Sequence, residues 1–321
     1  LNKSVKTPAL LSVATTSATA GSYALRASIT GLASLTSDLR RHNSNWQHYR
    51  TAIGIGRNTD SIPSERGVNI AVSSDKLDLD EWRQHYSQLE IAGDTGTANF
   101  NSLQIDTNRL SIYDRHLGRA SVNVRPLAGR WLLQLDGDNI GGTVNFRSVG
   151  ENGLLEADLT HLNIPDETYR QPLQEFDVRS LPAMRIHAQQ AVYGDMRLGA
   201  MQLKAQEITT GWSIEHARFD SDELHMTVWG ELKRMGGRNH GDLSVTASSS
   251  DLGKALARLA MPGQVQSGKA YADASLSWKG VNEYTLTSAS GKFNIKAEDG
   301  SFLKLEQGAG KMLGIFDFDA F

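Results

Sequence analysis

The sequence predicts an all-β protein with a few short helices, built on a long, curled antiparallel sheet. Apolar residues recur at every second position in many short segments, a pattern typical of half-buried strands. Gly, Asn, Asp or Ser residues interrupt these segments every ~8–12 residues, as in sheets with antiparallel neighbours. With 30 glycines and only 7 prolines, the turns depend mainly on glycine and Asx residues.

The alternating segments predict one apolar face and one polar face, because successive side chains of a strand point to opposite sides of a sheet. Polar residues such as Asn123 and Gln134 occupy the alternate positions. The residues predicted to line the apolar face are Val68, Ile70, Val72, Val122, Val124, Leu133, Leu135, Val144, Phe146, Leu203, Ile214, Leu224, Met226, Val228, Leu243, Val245, Leu276, Trp278, Phe293 and Ile295.

An internal repeat underlies part of this pattern. Residues 103–146 align with residues 184–227 without a gap. The matched positions are Ile105 with Ile186, Asp114 with Asp195, Leu117-Gly118 with Leu198-Gly199, and Trp131 with Trp212. Repeated units of strands lengthen a sheet by stacking, so the alignment predicts an elongated sheet.

Helices are predicted in two places. Residues 250–261 have one apolar stripe, with Ser250 as the expected N-cap and Pro262-Gly263 as the stop signal. Residues 78–86 are a shorter candidate. Near the C-terminus, Asp299-Gly300 predicts a tight turn between two strands. The glycines that follow, Gly308, Gly310 and Gly314, are expected to let the chain bend as it leaves the sheet.

Composition excludes several classes of function. The 33 basic and 36 acidic residues give a net charge of −3, which offers no electrostatic basis for binding nucleic acid. The absence of cysteine excludes disulfides, thiolate nucleophiles and cysteine-based zinc sites. No run of about 18 apolar residues predicts a membrane-spanning helix. Because the chain starts at Leu1, we expect it to be a fragment whose membrane anchor lies upstream.

No motif predicts catalysis, a metal or a cofactor. The nine histidines do not form the His-Glu-x-x-His pattern of a zinc site. Residues 308–311 lack the hydroxyl residue and the glycine spacing of a phosphate loop. Residues 136–139 fit a hairpin turn better than a calcium loop, because Ile140 occupies the next ligand position. We therefore predict a protein that is not an enzyme and that needs no cofactor.

Several segments resemble one family of envelope proteins. The segments are residues 181–188, 198–199, 211–215, 249–253 and 295–316. In this order they resemble the C-terminal half of YhdP-type proteins, within the AsmA-like group that includes TamB relatives. Gln307 departs from the proline expected there. The resemblance divides the chain into a weaker β-groove segment, residues 1–180, and a C-terminal AsmA-like β-groove segment, residues 181–321, with the helix near 250–261.

The resemblance implies a fold and a function. Relatives form a long sheet curled into an open trough with an apolar interior. They are anchored in the inner membrane of Gram-negative bacteria, cross the periplasm, and are implicated in moving phospholipids between the inner and outer membranes. The implied partners are phospholipid acyl chains, the inner membrane through an upstream anchor, and the outer membrane or other envelope proteins.

The residues themselves leave an alternative open. An apolar track would favour an acyl chain by about 0.8 kcal/mol per buried CH₂ group, which fits the trough. The same alternation would equally build the core of a closed β-sandwich that binds glycan or a protein partner. Tryptophans exposed in a row would favour glycan, whereas buried tryptophans would favour the trough or the sandwich core.

Overall fold

A computed structural model describes residues 10–19, 22–42, 45–59, 61–78, 100–112, 115–149, 152–165, 177–263, 265–281 and 288–302. These residues form seventeen β-strands, one α-helix and one 3-10 helix, so the all-β prediction is confirmed. The chain divides into two compact units, Leu1–Asp138 and Asn139–Phe321, called unit 1 and unit 2. The division at residue 180, which follows the family resemblance, stays a prediction.

Unit 1 contains eight strands, each paired with the next strand along the chain. The strands are β1 (Leu11–Thr19), β2 (Ser22–Ile29), β3 (Ala33–His42), β4 (Asn45–Ile55), β5 (Gly67–Asp78), β6 (Phe100–Ile112), β7 (Arg115–Leu127) and β8 (Arg130–Gly137).

Unit 2 contains nine strands, which also pair in chain order. The strands are β9 (Ile140–Arg147), β10 (Leu154–Ile164), β11 (Ala183–Tyr193), β12 (Met196–Ile208), β13 (Gly211–Asp220), β14 (Leu224–Met235), β15 (Arg238–Ser249), β16 (Val265–Val281) and β17 (Ser290–Phe302).

Three of the strand pairs are parallel, which the alternation in sequence does not reveal. They are β4 with β5, β5 with β6, and β10 with β11. A parallel pair needs a connection that returns the chain to the end at which the first strand began. The segments between these strands, residues 56–66, 79–99 and 165–182, supply that length, whereas short turns join most of the antiparallel pairs.

The predicted repeat is confirmed by the strand ladder. At the offset of 81 residues, β7 coincides with β12 from end to end. The irregularities between β6 and β7 fall at Thr107 and Leu110, and those between β11 and β12 fall at Ala188 and Ala191. These positions also differ by 81 residues. The two segments therefore share a strand register and a bulge, as well as the sequence similarity.

The helix α1 (Leu252–Arg258) is shorter than the predicted span of residues 250–261. Its N-cap is Asp251 and not Ser250, because the Asp251 carboxylate accepts a hydrogen bond of 3.1 Å from the Lys254 backbone N–H. Ala255 and Leu256 are buried. The apolar stripe of the predicted helix thus contributes mainly these two side chains to packing.

The position of α1 indicates that the sheet of unit 2 curves. The helix packs on β16 and also contacts β12, although four strand pairings separate these two strands. Along a flat sheet that separation is about 19 Å. A seven-residue helix is only about 10 Å long, so contact with both strands favours a curved sheet.

The predicted tight turn at Asp299-Gly300 is wrong. Both residues lie inside β17, which stays paired with β16 on either side of them. Asp299 has a φ of 58°, and Gly268 in the facing strand has a φ of 90°. The positive φ that Asp-Gly favours is used here for an irregularity in the ladder and not for a reversal of the chain. Residues 79–86 of the second helix candidate and residues 303–321, including Gly308, Gly310 and Gly314, lie outside the described residues.

Candidate functional site

The main feature of unit 2 is an apolar row that crosses all nine strands. Directly paired residues of neighbouring strands lie on the same face of a sheet, so the register defines the row. It consists of Val144, Ala157, Ile186, Leu203, Ala217, Val228, Val245, Ala274 and Phe293. With about 4.8 Å between strands, the row extends about 38 Å along the sheet.

Further apolar rows flank this one on the same face, here called the apolar face of unit 2. One row includes Phe146, Ile214, Leu243 and Leu276, and the other includes Met226 and Ile295. Leu224 and Trp278 lie farther along their strands on the same face. All thirteen residues that the sequence predicted in this part of the chain therefore share one face of the sheet.

Unit 1 has an apolar face built in the same way. Two neighbouring rows cross its eight strands. One row consists of Leu11, Ile29, Ala33, Ile55, Val72, Ile105, Val122 and Leu135, and the other of Val13, Ala27, Leu35, Ile53, Ile70, Leu103, Val124 and Leu133. Val68 lies on the same face through its pairing with Thr51. The seven residues predicted in unit 1 are all in these positions.

Both apolar faces are only partly shielded from water. Most of the predicted side chains are half-buried, whereas Val72, Val122, Val144, Leu224 and Trp278 are buried and Ile295 is 46% exposed. A side chain inside a closed, two-layer core would be almost fully covered. The faces thus offer apolar surface that is still accessible at many positions.

The opposite face of unit 2 is polar and held by ion pairs. Glu156 accepts hydrogen bonds from Arg147 at 2.6 Å and from Arg185 at 3.1 Å. The hydrogen bond from Lys204 lowers the pKa of the Glu215 carboxyl. The hydrogen bond to Glu231 raises the pKa of the Lys233 ammonium group. All the side chains in these pairs are at least 32% accessible, as is typical of a face in contact with water.

The 3-10 helix (Val178–Ser180) covers one end of the apolar face of unit 2. Val178 is fully buried and packs with Leu181 against Trp212 and Ala205. The indole Nε1 of Trp212 donates a 3.0 Å hydrogen bond to the carbonyl oxygen of Pro182. Asp177 is the N-cap of this helix, and its side chain accepts a hydrogen bond from the Arg179 backbone N–H. The residues that lead directly into β11 thus pack on the sheet.

The predicted list omits the apolar residues of β1 to β4, of β6, and of β10 and β11. Leu35, Ile53 and Ile186 belong to the rows described above, but the predicted list does not contain them. Alanine and glycine at many matching positions weaken the contrast between apolar and polar residues. A search that counted small residues as compatible with the apolar face would have found these strands.

The tryptophans do not form a single exposed row in the described residues. Trp46, Trp131 and Trp229 are exposed, but they lie on β4, β8 and β14. Trp212 and Trp278 are buried, with 7% and 5% of their surfaces exposed. Trp82 lies outside the described residues.

Within the ranges that the structure describes, no three His, Asp or Glu side chains come together in a way that could hold a metal ion. Within the same ranges, none of the helices is both long enough and apolar enough to cross a membrane.

Comparisons with known proteins give one match. Searches of curated proteins and of solved structures found no match to the chain. A family model described as "YhdP protein" matches residues 1–321, which is the whole chain. The chain thus belongs to the YhdP family, a family of envelope-associated, bridge-like lipid transport proteins.

Proposed function

We propose that the apolar faces of this chain conduct phospholipids between the inner and outer membranes of a Gram-negative envelope. The observation that supports this most directly is the apolar row from Val144 to Phe293, which crosses nine consecutive strands without a charged residue. An acyl chain that moves across the strands along such a row stays in contact with apolar side chains at every step.

The energetics favour this function. Each CH₂ group of an acyl chain gains about 0.8 kcal/mol when it leaves water for an apolar surface, so even partial cover over many groups holds a lipid. The rows do not contain the fixed polar ligands that would trap a lipid at one place. A surface with many equivalent contacts therefore supports both retention and movement.

In this proposal the chain belongs to a protein that works in the periplasm and is anchored in the inner membrane. The partners are phospholipid acyl chains, the inner membrane, and the outer membrane or proteins in it. Catalysis has no part in the proposal, because movement along the apolar face makes and breaks no covalent bond.

Photocrosslinking at paired positions tests whether lipid lies on the apolar face. Val124 pairs with Leu133 on the apolar face, and Asn123 pairs with Gln134 on the opposite face. Crosslinkers at Val124, Leu133, Val144 or Met226 should label phospholipid in cells, whereas those at Asn123 or Gln134 should not. Equal labelling of both faces would refute the proposal.

A substitution in unit 2 tests transport itself. Met226 is half-buried on the apolar face, so Met226→Arg places a cation in the lipid path and should block transport. The neighbouring His225 is exposed on the other face, with its Nδ1 atom 2.9 Å from Asp220 Oδ1. His225→Arg places the same cation on the opposite face, beside Asp220, and should leave transport unchanged. Normal transport by a folded Met226→Arg protein would contradict the proposal.

Val144→Asp is a harsher version of the same test. Val144 is only 8% exposed, so a carboxylate at this position is removed from water, which also lowers the stability of the fold. Circular dichroism of the purified variant must therefore show a folded sheet before a loss of transport can be interpreted. Native mass spectrometry of the wild-type chain should show co-purified phospholipid.

A further inference from the structure

The apolar face of unit 1 ends in a group of aromatic and cationic side chains. Tyr23 precedes Leu25 on the same face of β2, and Trp46 lies on the same face of β4. Their rings meet edge to face, with 5.0 Å between the ring centroids and 88° between the planes. Arg41 is exposed and is paired with Trp46 in the strand register. These three residues, Tyr23, Arg41 and Trp46, are called the aromatic rim.

The aromatic rim is open to solvent. Tyr23 is 40% exposed and Trp46 is 48% exposed, although both have large apolar surfaces. Amphipathic rings of this kind are enriched where an apolar environment meets water, at the level of lipid headgroups. The aromatic rim lies at such a boundary, because apolar side chains such as Leu35 and Leu39 come before Arg41 on the same face of β3.

Positive charge is concentrated on the other face of the same strand end. The guanidinium of Arg40 lies 3.5 Å from the centre of the Tyr49 ring, and those of Arg50 and Arg66 lie 5.9 and 5.6 Å from it. The Asp38 carboxylate pairs with Arg40 at 3.6 Å and with Arg50 at 2.9 Å. Three guanidinium groups thus surround the Tyr49 ring, two of them paired with the Asp38 carboxylate, and Arg41 follows Arg40 on the other face of β3. Such a concentration of positive charge attracts anions.

We propose that the aromatic rim binds the phosphate headgroup of a phospholipid whose acyl chains lie on the apolar face of unit 1. Arginine suits this role because its planar guanidinium forms paired hydrogen bonds with phosphate oxygens. The length of the strand also suits an acyl chain. Arg41 and Leu35 are about 20 Å apart along β3, and the hydrocarbon of one leaflet, which is the length of an extended acyl chain in a membrane, is about 15 Å thick. This inference rests on the proposed lipid transport and identifies where the headgroup lies.

The test uses a photocrosslinker at Leu35, which reports lipid bound to unit 1 on the side of Arg41. The purified 321-residue chain is titrated with phosphatidylglycerol or with diacylglycerol of the same acyl chains. The wild type should be labelled at lower concentrations of phosphatidylglycerol. Arg41→Gln should weaken labelling by phosphatidylglycerol about tenfold and leave labelling by diacylglycerol unchanged. Arg41→Lys should recover part of the preference.

Arg26 provides the matched control. It is also an exposed arginine near the start of the sheet, but it pairs with Thr36 on the opposite face. Arg26→Gln should therefore change neither titration. If Arg41→Gln and Arg26→Gln behave alike, or if Arg41→Gln weakens both lipids equally, the headgroup assignment is wrong.

Further outcomes distinguish a failure of the headgroup site from a failure of the proposed lipid transport. Millimolar inorganic phosphate should not compete with phosphatidylglycerol, and full competition would identify the rim as a site for free phosphate instead. If the wild type binds neither lipid, the proposed transport function fails and the headgroup site fails with it. If the wild type binds both lipids equally well, only the headgroup assignment is overturned.

Discussion

The two copies of the internal repeat have the same strand register but differ in the side chains that pack on their tryptophans. In unit 2, Trp212 is 7% exposed beneath Val178 and Leu181. In unit 1, the equivalent Trp131 is 36% exposed, and its ring lies 5.7 Å from the ring of Phe100. At the offset of 81 residues, Phe100 corresponds to Leu181. One contact is thus kept in both copies, and the full cover is found in unit 2.

The comparison separates two kinds of constraint. The strand register and the bulge recur because glycines with positive φ, Gly118 at 72° and Gly199 at 87°, occupy equivalent places. Among the described residues, the unit 1 counterpart of the cover is Phe100, whereas in unit 2 both Val178 and Leu181 pack on the tryptophan. The strand register therefore sets the position of each tryptophan, and in unit 2 the packing of Val178 and Leu181 keeps Trp212 away from water.

The largest expected effect comes from removing the two tryptophans. Trp212→Ala should lower the free energy of unfolding by about 3–5 kcal/mol, since it empties a buried site and leaves the Pro182 carbonyl without its donor. Trp131→Ala should lower it by about 1 kcal/mol, because that ring is already partly in water. Urea unfolding followed by circular dichroism measures both. Equal losses would show that exposure does not distinguish the two copies.

The next largest effect is expected at Gly199, the glycine that corresponds to Gly118 in unit 1. A Cβ atom at Gly199 would lie 2.2 Å from the Asp220 carbonyl oxygen, so Gly199→Ala should cost about 2–3 kcal/mol of unfolding free energy. Gly236 also has a positive φ, but it has open space around the added atom. Gly236→Ala should therefore cost only about 1 kcal/mol. A larger loss at Gly236 would contradict the role given to the contact with Asp220.

Val178→Ala tests the packing of the 3-10 helix on Trp212. It should lower the free energy of unfolding by about 2 kcal/mol. Val178 has no exposed surface, so its lost methyl groups leave a gap above Trp212. Val149, in the same unit, is 60% exposed, and Val149→Ala should change stability by less than about 0.5 kcal/mol. Fluorescence quenching by acrylamide should also increase in Val178→Ala, and unchanged quenching would argue against the cover.

The smallest effect concerns the start of the 3-10 helix. Hydrogen bonds from Arg179 lower the pKa of the Asp177 carboxyl below its ordinary value. Because the folded-state pKa is the lower one, the stabilisation is fully present above about pH 4 and is lost as the pH falls through the folded-state pKa. Asp177→Asn should lower the free energy of unfolding at pH 7 by less than about 1 kcal/mol. Unfolding at several pH values should show this difference vanishing in acid, and a constant difference would contradict the assignment.

Much of the fold could be predicted from local patterns. The alternation at Val122 and Val124, or at Met226 and Val228, predicts strands with one apolar face, and the structure places these residues as expected. The repeat is visible because Trp131 and Trp212 stand at matching positions. The Asp-Gly pair at residue 299 shows the limit of such patterns, since a positive φ serves a bulge as well as a turn.

The sequence by itself determined the all-β class, the two-faced strands and the repeat, because these depend on residues a few positions apart in the chain. The tertiary structure decided the three parallel pairs, the joining of separate apolar segments into continuous rows, and the cover above Trp212. It also brought Tyr23 to Trp46 at the aromatic rim. These features depend on hydrogen bonds and packing between distant segments, and the period of side chains along a single strand holds no information about which strand lies beside it.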